Sequence, residues 1–85
     1  MVDTDVWHVA SLVVLCAPEH LDRVAYDIER LSGLSVPERD ARGKLVALIE
    51  VPSEVAILEA IRGVEAVAGV LSASLVYHQV DTAET

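Results

Sequence analysis

Hydroxyl and imidazole side chains are the groups in this sequence that could catalyse a reaction. Strand alternation places Ser11, Ser72 and Ser74 on one side of a predicted sheet, together with His78. A serine and a histidine on one surface could act as nucleophile and general base. No acidic residue is placed to orient His78, no oxyanion-hole motif is evident, and an open sheet does not exclude water. We therefore expect no enzymatic activity, and we interpret His78 as a surface hydrogen-bonding group.

Cysteine and the other histidines form no metal or redox motif. Cys16 is the only cysteine, so it cannot form an internal disulfide and brings no second thiolate to a zinc or iron–sulfur site. A lone cysteine of this kind is more often a small buried apolar residue. His8 and His20 are isolated in the sequence, and we expect both at the surface. The sequence predicts no cofactor and no metal.

The charge balance argues against several kinds of partner. Fourteen acidic residues and six basic ones give a formal net charge of −8. Nucleic-acid binding depends on Lys and Arg neutralising phosphates, and anionic membrane surfaces also attract basic proteins. Neither partner is expected. A basic ligand would be attracted, although the same charge also serves solubility.

No segment has the sequence pattern of a membrane span or of a secretory signal. The apolar run at residues 12–17 is much shorter than the ~20 residues needed to cross a bilayer. Asp3 and Asp5 precede it, where a signal peptide carries basic residues, and no small-residue cleavage site follows. We therefore expect a cytoplasmic protein.

Apolar spacing predicts one domain spanning residues 1–85, with frayed ends at about 1–5 and 80–85. Strands are predicted at residues 7–16, 34–39, 44–51 and 70–79. A first helix opens at Pro18 and ends at Gly33, and a second begins after Ser53 as N-cap. The predicted apolar stripes of the two helices are Leu21, Val24, Ala25, Ile28 and Leu31, and then Ile57, Leu58, Ile61 and Val64.

The element order β-α-β-β-α-β predicts an α+β fold of the ferredoxin-like, split βαβ type. Two right-handed crossovers would place both helices on one face of a four-stranded antiparallel sheet with spatial order 4-1-3-2. Pro37 has no backbone donor, so the second strand should lie at an edge. Residues 40–43 are expected to form the hairpin turn into the third strand.

One face of such a sheet, called the open face from here on, is left uncovered by the helices. Alternation predicts that it carries Val9, Ser11, Val13, Leu15, Val46, Leu48, Ser72, Ser74, Val76 and His78. The opposite positions of the first and third strands should be buried. A largely apolar exposed face usually marks an interaction site. Formation of a weak homodimer and capture of an apolar peptide are both compatible with these residues.

Acidic residues are predicted to gather at one end of the open face. The first strand begins where its neighbours end, which should bring Asp5 near Glu50 and Asp81. Trp7 is expected in the same region. A ligand with a cationic head and an apolar body would fit this gradient.

Two segments of the sequence resemble the NapD family. These are residues 70–79 (VLSASLVYHQ), preceded by VEAVAG at 64–69, and residues 7–14 (WHVASLVV). The resemblance implies a ferredoxin-like cytoplasmic chaperone for the molybdenum-containing catalytic subunit of periplasmic nitrate reductase. It implies binding of that subunit's twin-arginine signal peptide and a delay of export until the cofactor is inserted. Two arginines and an apolar middle would suit the open face, which favours peptide capture over a dimer.

Other proteins of this topology provide alternatives. Regulatory domains of the ACT type form dimers and bind small molecules through glycine-bearing loops. The segment CAPE after the first strand, residues 16–19, does not resemble such a loop. Heavy-metal-binding domains need paired cysteines there, and RNA-binding versions need aromatic residues on the central strands. An ACT-like dimer therefore stays the main alternative to the chaperone.

Overall fold

The computed structural model describes the backbone of residues 6–82 and the side chains of residues 7–80. It contains four strands and two helices. Strand β1 spans Val6–Cys16, β2 Leu34–Asp40, β3 Lys44–Val51 and β4 Val70–Thr82. A 3-10 turn at Pro18–His20 leads into helix α1 at Leu21–Glu29, and helix α2 spans Glu54–Glu65. The element order is the one that the apolar spacing predicts, and β4 continues three residues beyond its predicted end.

The four strands form one antiparallel sheet in the order β2-β3-β1-β4. This is the predicted ferredoxin-like arrangement, with β1 and β3 in the centre. Pro37 lies in β2, an edge strand, where its missing donor costs no ladder hydrogen bond. None of the described helices combines the length and the apolar character needed to cross a bilayer.

Local signals in the sequence explain where the elements begin and end. The Ser53 hydroxyl accepts a hydrogen bond from the Ala56 backbone N–H at 3.1 Å, which caps α2 as predicted. The β2–β3 turn closes with a hydrogen bond from Gly43 N–H to Asp40 O at 2.9 Å. Gly43 has φ +102°, and a Cβ there would collide with the Cys16 carbonyl, so only glycine fits.

A single hydrophobic core lies between the helices and one face of the sheet. Alternate residues of the two central strands are buried in it, as predicted: Ala10, Leu12, Val14 and Cys16 from β1, and Leu45, Ala47, Ile49 and Val51 from β3. Helix α1 buries Leu21, Val24, Ala25 and Ile28 of its expected stripe, but it ends at Glu29, before its predicted end at Gly33, so Leu31 lies beyond it and is partly buried. In α2, Ile57 and Val64 are buried, but Leu58 is 54% exposed, so its predicted core position is wrong. Both helices therefore cover the same face and leave the other uncovered.

Candidate functional site

The central row of the open face belongs to β1. Val9, Ser11 and Val13 are half-buried and Leu15 is 43% exposed, whereas the residues between them are buried in the core. The strand is in the middle of the sheet, so both of its backbone edges are hydrogen-bonded. These four side chains therefore stand on a rigid surface, on the side that alternation predicts.

Strand β3 adds a second apolar row beside the first. Leu48 lies opposite Ser11 and Val46 lies opposite Val13, and both are half-buried. On the far side of β3, the exposed residues Ser35 and Glu38 of β2 pair with Leu48 and Val46. The apolar surface is thus bordered by polar side chains along β2.

Strand β4 forms the other border, and here strict alternation fails. Ser72 and Ser74 lie opposite Leu15 and Val13, on the open face as predicted. The register then shifts, because Leu12 pairs with Leu75 while Ser11 pairs with Tyr77. Val76 is the extra residue of this bulge and has no cross-strand partner on β1.

The bulge reverses the predicted faces of the residues that follow it. Tyr77 lies opposite Ser11 and so belongs to the open face. His78 lies opposite Ala10, a buried core residue, so it stands on the helix-covered side of the sheet. The open-face positions predicted for Val76 and His78 are therefore corrected: Val76 is the exposed bulge residue, and His78 is on the other face. The local sequence does not predict the bulge. In residues 75–79 (LVYHQ), apolar and polar side chains can be assigned to the two faces with or without an unpaired Val76.

The sheet separates the three serines from His78, so they cannot act together as nucleophile and base. The three serines remain on the open face, whereas His78 is on the opposite side of the sheet, where its ring contacts His8. Within residues 7–80, no three His, Cys, Asp or Glu side chains converge on a point that could hold a metal ion. Cys16 is buried, and burial raises the pKa of its thiol, an effect partly offset by the positive charge of Arg23.

One end of the open face carries Glu50 and Trp7. Glu50 is exposed and lies opposite Val9, and among the described residues its carboxylate forms no ion pair. Trp7 is 46% exposed and pairs with Asp81 on β4. With strands ~4.8 Å apart and two residues of stagger, the backbones of Glu50 and Asp81 are about 12 Å apart across β1. Asp5 lies outside the described residues.

The opposite end of the open face carries charges of both signs. A shallow hollow there is lined by Glu38, Arg39, Asp40, Lys44 and Val46. The Arg42 guanidinium donates to Asp40 at 2.8 Å, and its hydrogen bonds hold the pKa of that exposed carboxyl well below its ordinary value. Arg39 donates to Asp22 of α1 at 3.1 Å. Asp40 at this end is therefore already paired with an arginine, whereas Glu38, like Glu50, forms no ion pair among the described residues.

The open face as a whole is an exposed and largely apolar surface. Its apolar centre consists of Val9, Val13, Leu15, Val46, Leu48 and Tyr77, with Ser11, Ser72 and Ser74 among them. The hydroxyls are small and do not stand far above the surface. An apolar surface of this kind, with polar borders and one acidic end, is suited to an apolar ligand with a cationic end.

Comparison of the sequence with known proteins identifies a family. The sequence model of the NapD protein family matches residues 7–82. Chaperone NapD of Escherichia coli (strain K12) is 35% identical over 74 residues, covering 86% of this chain and 85% of the relative. Chaperone NapD of Haemophilus influenzae (strain ATCC 51907 / DSM 11121 / KW20 / Rd) is 30% identical over 76 residues, covering 88% and 82%.

A solved structure is similar as well. The solution structure of the E. coli Tat proofreading chaperone protein NapD superposes with a TM-score of 0.80 at 35% identity, covering 86% of this chain and 78% of that one. Sequence and structure thus agree over almost the same residues. This chain belongs to the NapD family.

Proposed function

We propose that this protein is a cytoplasmic chaperone that binds the twin-arginine signal peptide of the catalytic subunit of a periplasmic nitrate reductase. Binding delays export until the molybdenum cofactor has been inserted. The observation that carries the proposal is the open face, an apolar surface on central strands that neither helix covers. The name of the solved relative, a Tat proofreading chaperone, supports the same partner class.

The dimensions of the open face suit a helical peptide. From Val9 to Leu15 the β1 row is about 20 Å long, at ~3.3 Å per residue. A helix rising ~1.5 Å per residue covers that length with about 13 residues, and its ~10 Å diameter spans about two strands. A helix also satisfies its own backbone while presenting one apolar stripe to a flat surface. The bound peptide therefore lies as a helix across the open face.

Apolar contact provides most of the affinity in this arrangement. The half-buried side chains of β1 and β3 lose their remaining contact with water when a helix covers them, at ~25 cal/mol per Å² of apolar area. Ser72 and Ser74 border the apolar centre on β4, where their small side chains allow a close approach. Addition of an extended peptide to a sheet edge is the competing mode, and Pro37 weakens it at β2.

The twin arginines bind at the Glu50 end of the open face. Asp5, Glu50 and Asp81 are the predicted acidic residues, and Glu50 is free of internal ion pairs among the described residues. The ~12 Å between the Glu50 and Asp81 backbones suits two guanidinium groups that each bind a separate carboxylate. At the opposite end Arg42 and Lys44 offset the charges of Asp40 and Glu38, so the peptide arginines are attracted more strongly to the Glu50 end, which sets the direction of the peptide.

The decisive experiment is an NMR titration of the ¹⁵N-labelled protein with the synthetic signal peptide. The largest amide shifts are expected along β1 and β3 and at Ser72, Ser74 and Tyr77. A peptide of the same composition in scrambled order is the matched control and should bind more weakly. Shifts confined to α1 and α2 would contradict the site, and strand-like chemical shifts in the labelled peptide would contradict the helical mode.

A weak homodimer through the open face would compete with this function. Because the same apolar surface would be buried in both complexes, peptide binding should dissociate any such dimer. Sedimentation velocity with and without the peptide tests this. A stable dimer that binds the peptide without dissociating would show that self-association uses another surface.

A further inference from the structure

Two histidines face each other on the helix-covered side of the sheet, away from the open face. Nδ1 of His8 lies 3.2 Å from Nε2 of His78, with the ring centroids 5.4 Å apart and the ring planes at 32°. His78 is opposite the core residue Ala10 and His8 is opposite Val80, so the two are diagonal neighbours on β4 and β1. Strict alternation predicts His78 on the other face, and the β4 bulge brings the two histidines together.

We propose that His8 and His78 form a two-histidine chelate for a divalent transition metal such as Zn²⁺ or Ni²⁺. Two imidazole nitrogens bound tetrahedrally at ~2.05 Å from one metal ion are about 3.3 Å apart. The nitrogens of this pair already have almost that separation. Chelation then requires the two rings to rotate about their side-chain bonds until both lone pairs point at one ion.

The hydrogen bond between the rings defines what metal binding must displace. An N–H···N contact requires one of the two facing nitrogens to carry a proton and the other to be bare. A metal needs both nitrogens bare, because each donates its lone pair to the ion. In a neutral pair, the displaced proton moves to the other nitrogen of its ring through solvent. In a positively charged pair, one proton is released to the solvent.

The position of the pair favours metal access and selectivity for borderline metals. His78 is exposed and His8 is half-buried, so an ion reaches the pair directly from water. No third described His, Cys, Asp or Glu converges on them, so water fills the remaining coordination positions. Imidazole ligands suit Zn²⁺, Ni²⁺ and Cu²⁺, whereas Mg²⁺ and Ca²⁺ prefer oxygen.

The sheet prepares the two ligands for binding. Both histidines stand on paired antiparallel strands, so no loop has to be ordered when the metal arrives. The net charge of −8 also attracts a divalent cation. Two histidines that only hydrogen-bond to each other could occupy the same positions on the sheet without binding a metal. The experiment must therefore measure metal affinity directly.

Calorimetric titration of the tag-free protein with ZnCl₂ at pH about 7.5 tests the proposal. We expect one Zn²⁺ per chain, and at least a tenfold loss of affinity in His8→Ala and in His78→Ala. Each single variant should already have lost the chelate, because one imidazole cannot form it alone. Removing the second histidine as well should therefore weaken binding no further. MgCl₂ should not bind. His20→Ala, which removes an exposed histidine far from the pair in the chain, should keep the wild-type affinity.

A second measurement does not depend on any variant. In long-range ¹H–¹⁵N spectra of the histidine rings, Zn²⁺ should shift Nδ1 of His8 and Nε2 of His78. Wild-type affinity in His78→Ala would overturn the proposal. So would no Zn²⁺ binding, one Zn²⁺ per two chains, or spectra that show the metal bound to Nε2 of His8 or to Nδ1 of His78.

Discussion

Tyr77 lies directly opposite Ser11 across the β1–β4 pair, one residue out of step with the alternation of β4 up to Leu75. The bulge at Val76 thereby gives the open face an aromatic ring that is 48% exposed. Aromatic residues commonly dominate binding energies when a ligand covers them, because they bury a large area with little loss of side-chain entropy. Tyr77 is thus a predicted contact that strict alternation assigns to the core.

Tyr77→Ala should weaken binding of the signal peptide about tenfold, the ~1.4 kcal/mol expected for one partly buried aromatic contact. Val80→Ala is the matched control, since Val80 is 52% exposed on the same strand but lies opposite His8 on the other face. Calorimetric titration of both variants provides the comparison. Equal losses in the two variants would mean that β4 contacts the peptide through its edge and not through the open face.

Introducing a charge on the central strands should separate the open face from the core. Val13→Glu and Leu48→Glu should each weaken peptide binding by about 1–3 kcal/mol, because the carboxylate stays hydrated in the free protein and is desolvated in the complex. Thermal stability should change little, since both side chains reach solvent. Peptide titration and thermal unfolding monitored by circular dichroism measure the two effects.

Two controls accompany these variants. Leu12→Glu should prevent folding, because Leu12 is 0% exposed and an unpaired buried charge exceeds the stability margin of a small domain. Leu58→Glu adds the same charge at an exposed apolar position on α2 and should leave both folding and peptide binding unchanged. Binding that weakens as much in Leu58→Glu as in Val13→Glu would place the peptide on the helical side.

Glu50 and Asp81 together should account for recognition of the two arginines. Replacing both peptide arginines by glutamine should weaken binding by about 0.2–1 kcal/mol for each exposed pair and reduce its salt dependence. Lysine replacements should bind with intermediate strength, because they keep the charge but lose bidentate geometry. In the Glu50→Gln, Asp81→Asn variant, the arginine and glutamine peptides should bind almost equally, as titrations at two salt concentrations would show.

Full discrimination between these peptides by the double variant would mean that other acids recognise the arginines. The acids of α1 are the nearest alternative, but they are already engaged. Asp22 accepts from Arg39, Asp27 accepts from Arg23, and Glu29 accepts from the backbone N–H of Val36. Their use would therefore require an existing contact to break, which a change in the NMR signals of Arg23 or Arg39 would reveal.

Cys16 should be almost unreactive in the folded protein. Its side chain is 4% exposed, and burial raises the pKa of the thiol, so the reactive thiolate is scarce at neutral pH. The rate of modification by a chromogenic disulfide reagent should rise at least a hundredfold on unfolding in urea. Leu15→Cys in a Cys16→Ala background is the control. The side chain at position 15 is 43% exposed, so a cysteine there should react without unfolding. Rapid reaction of Cys16 in the native protein would show local opening at the end of β1.

Much of the fold follows from residue spacing alone. The alternation of β1 and β3 predicts their buried and open sides without error, since a central strand with one covered face must bury every second residue. Ser53 marks the start of α2 because its hydroxyl satisfies an otherwise unpaired N–H. The ferredoxin-like order then follows from the sequence of elements, and the apolar residues on the uncovered side indicate a docking surface.

The faces on which the residues of β4 beyond Leu75 lie could not be predicted from the sequence. Val76 has no partner on β1 because the register of β4 shifts at this residue. The register between two strands depends on both of them, so the sequence of β4 alone does not predict it. One unpaired residue exchanges the faces of everything beyond it, which moves Tyr77 onto the open face and His78 away from it. The sequence alone therefore determined the element order, the buried side of β1 and β3, and the apolar rows that these two strands give to the open face. Only the tertiary structure decided that Tyr77 joins that face and that His78 meets His8, because both depend on register across the sheet.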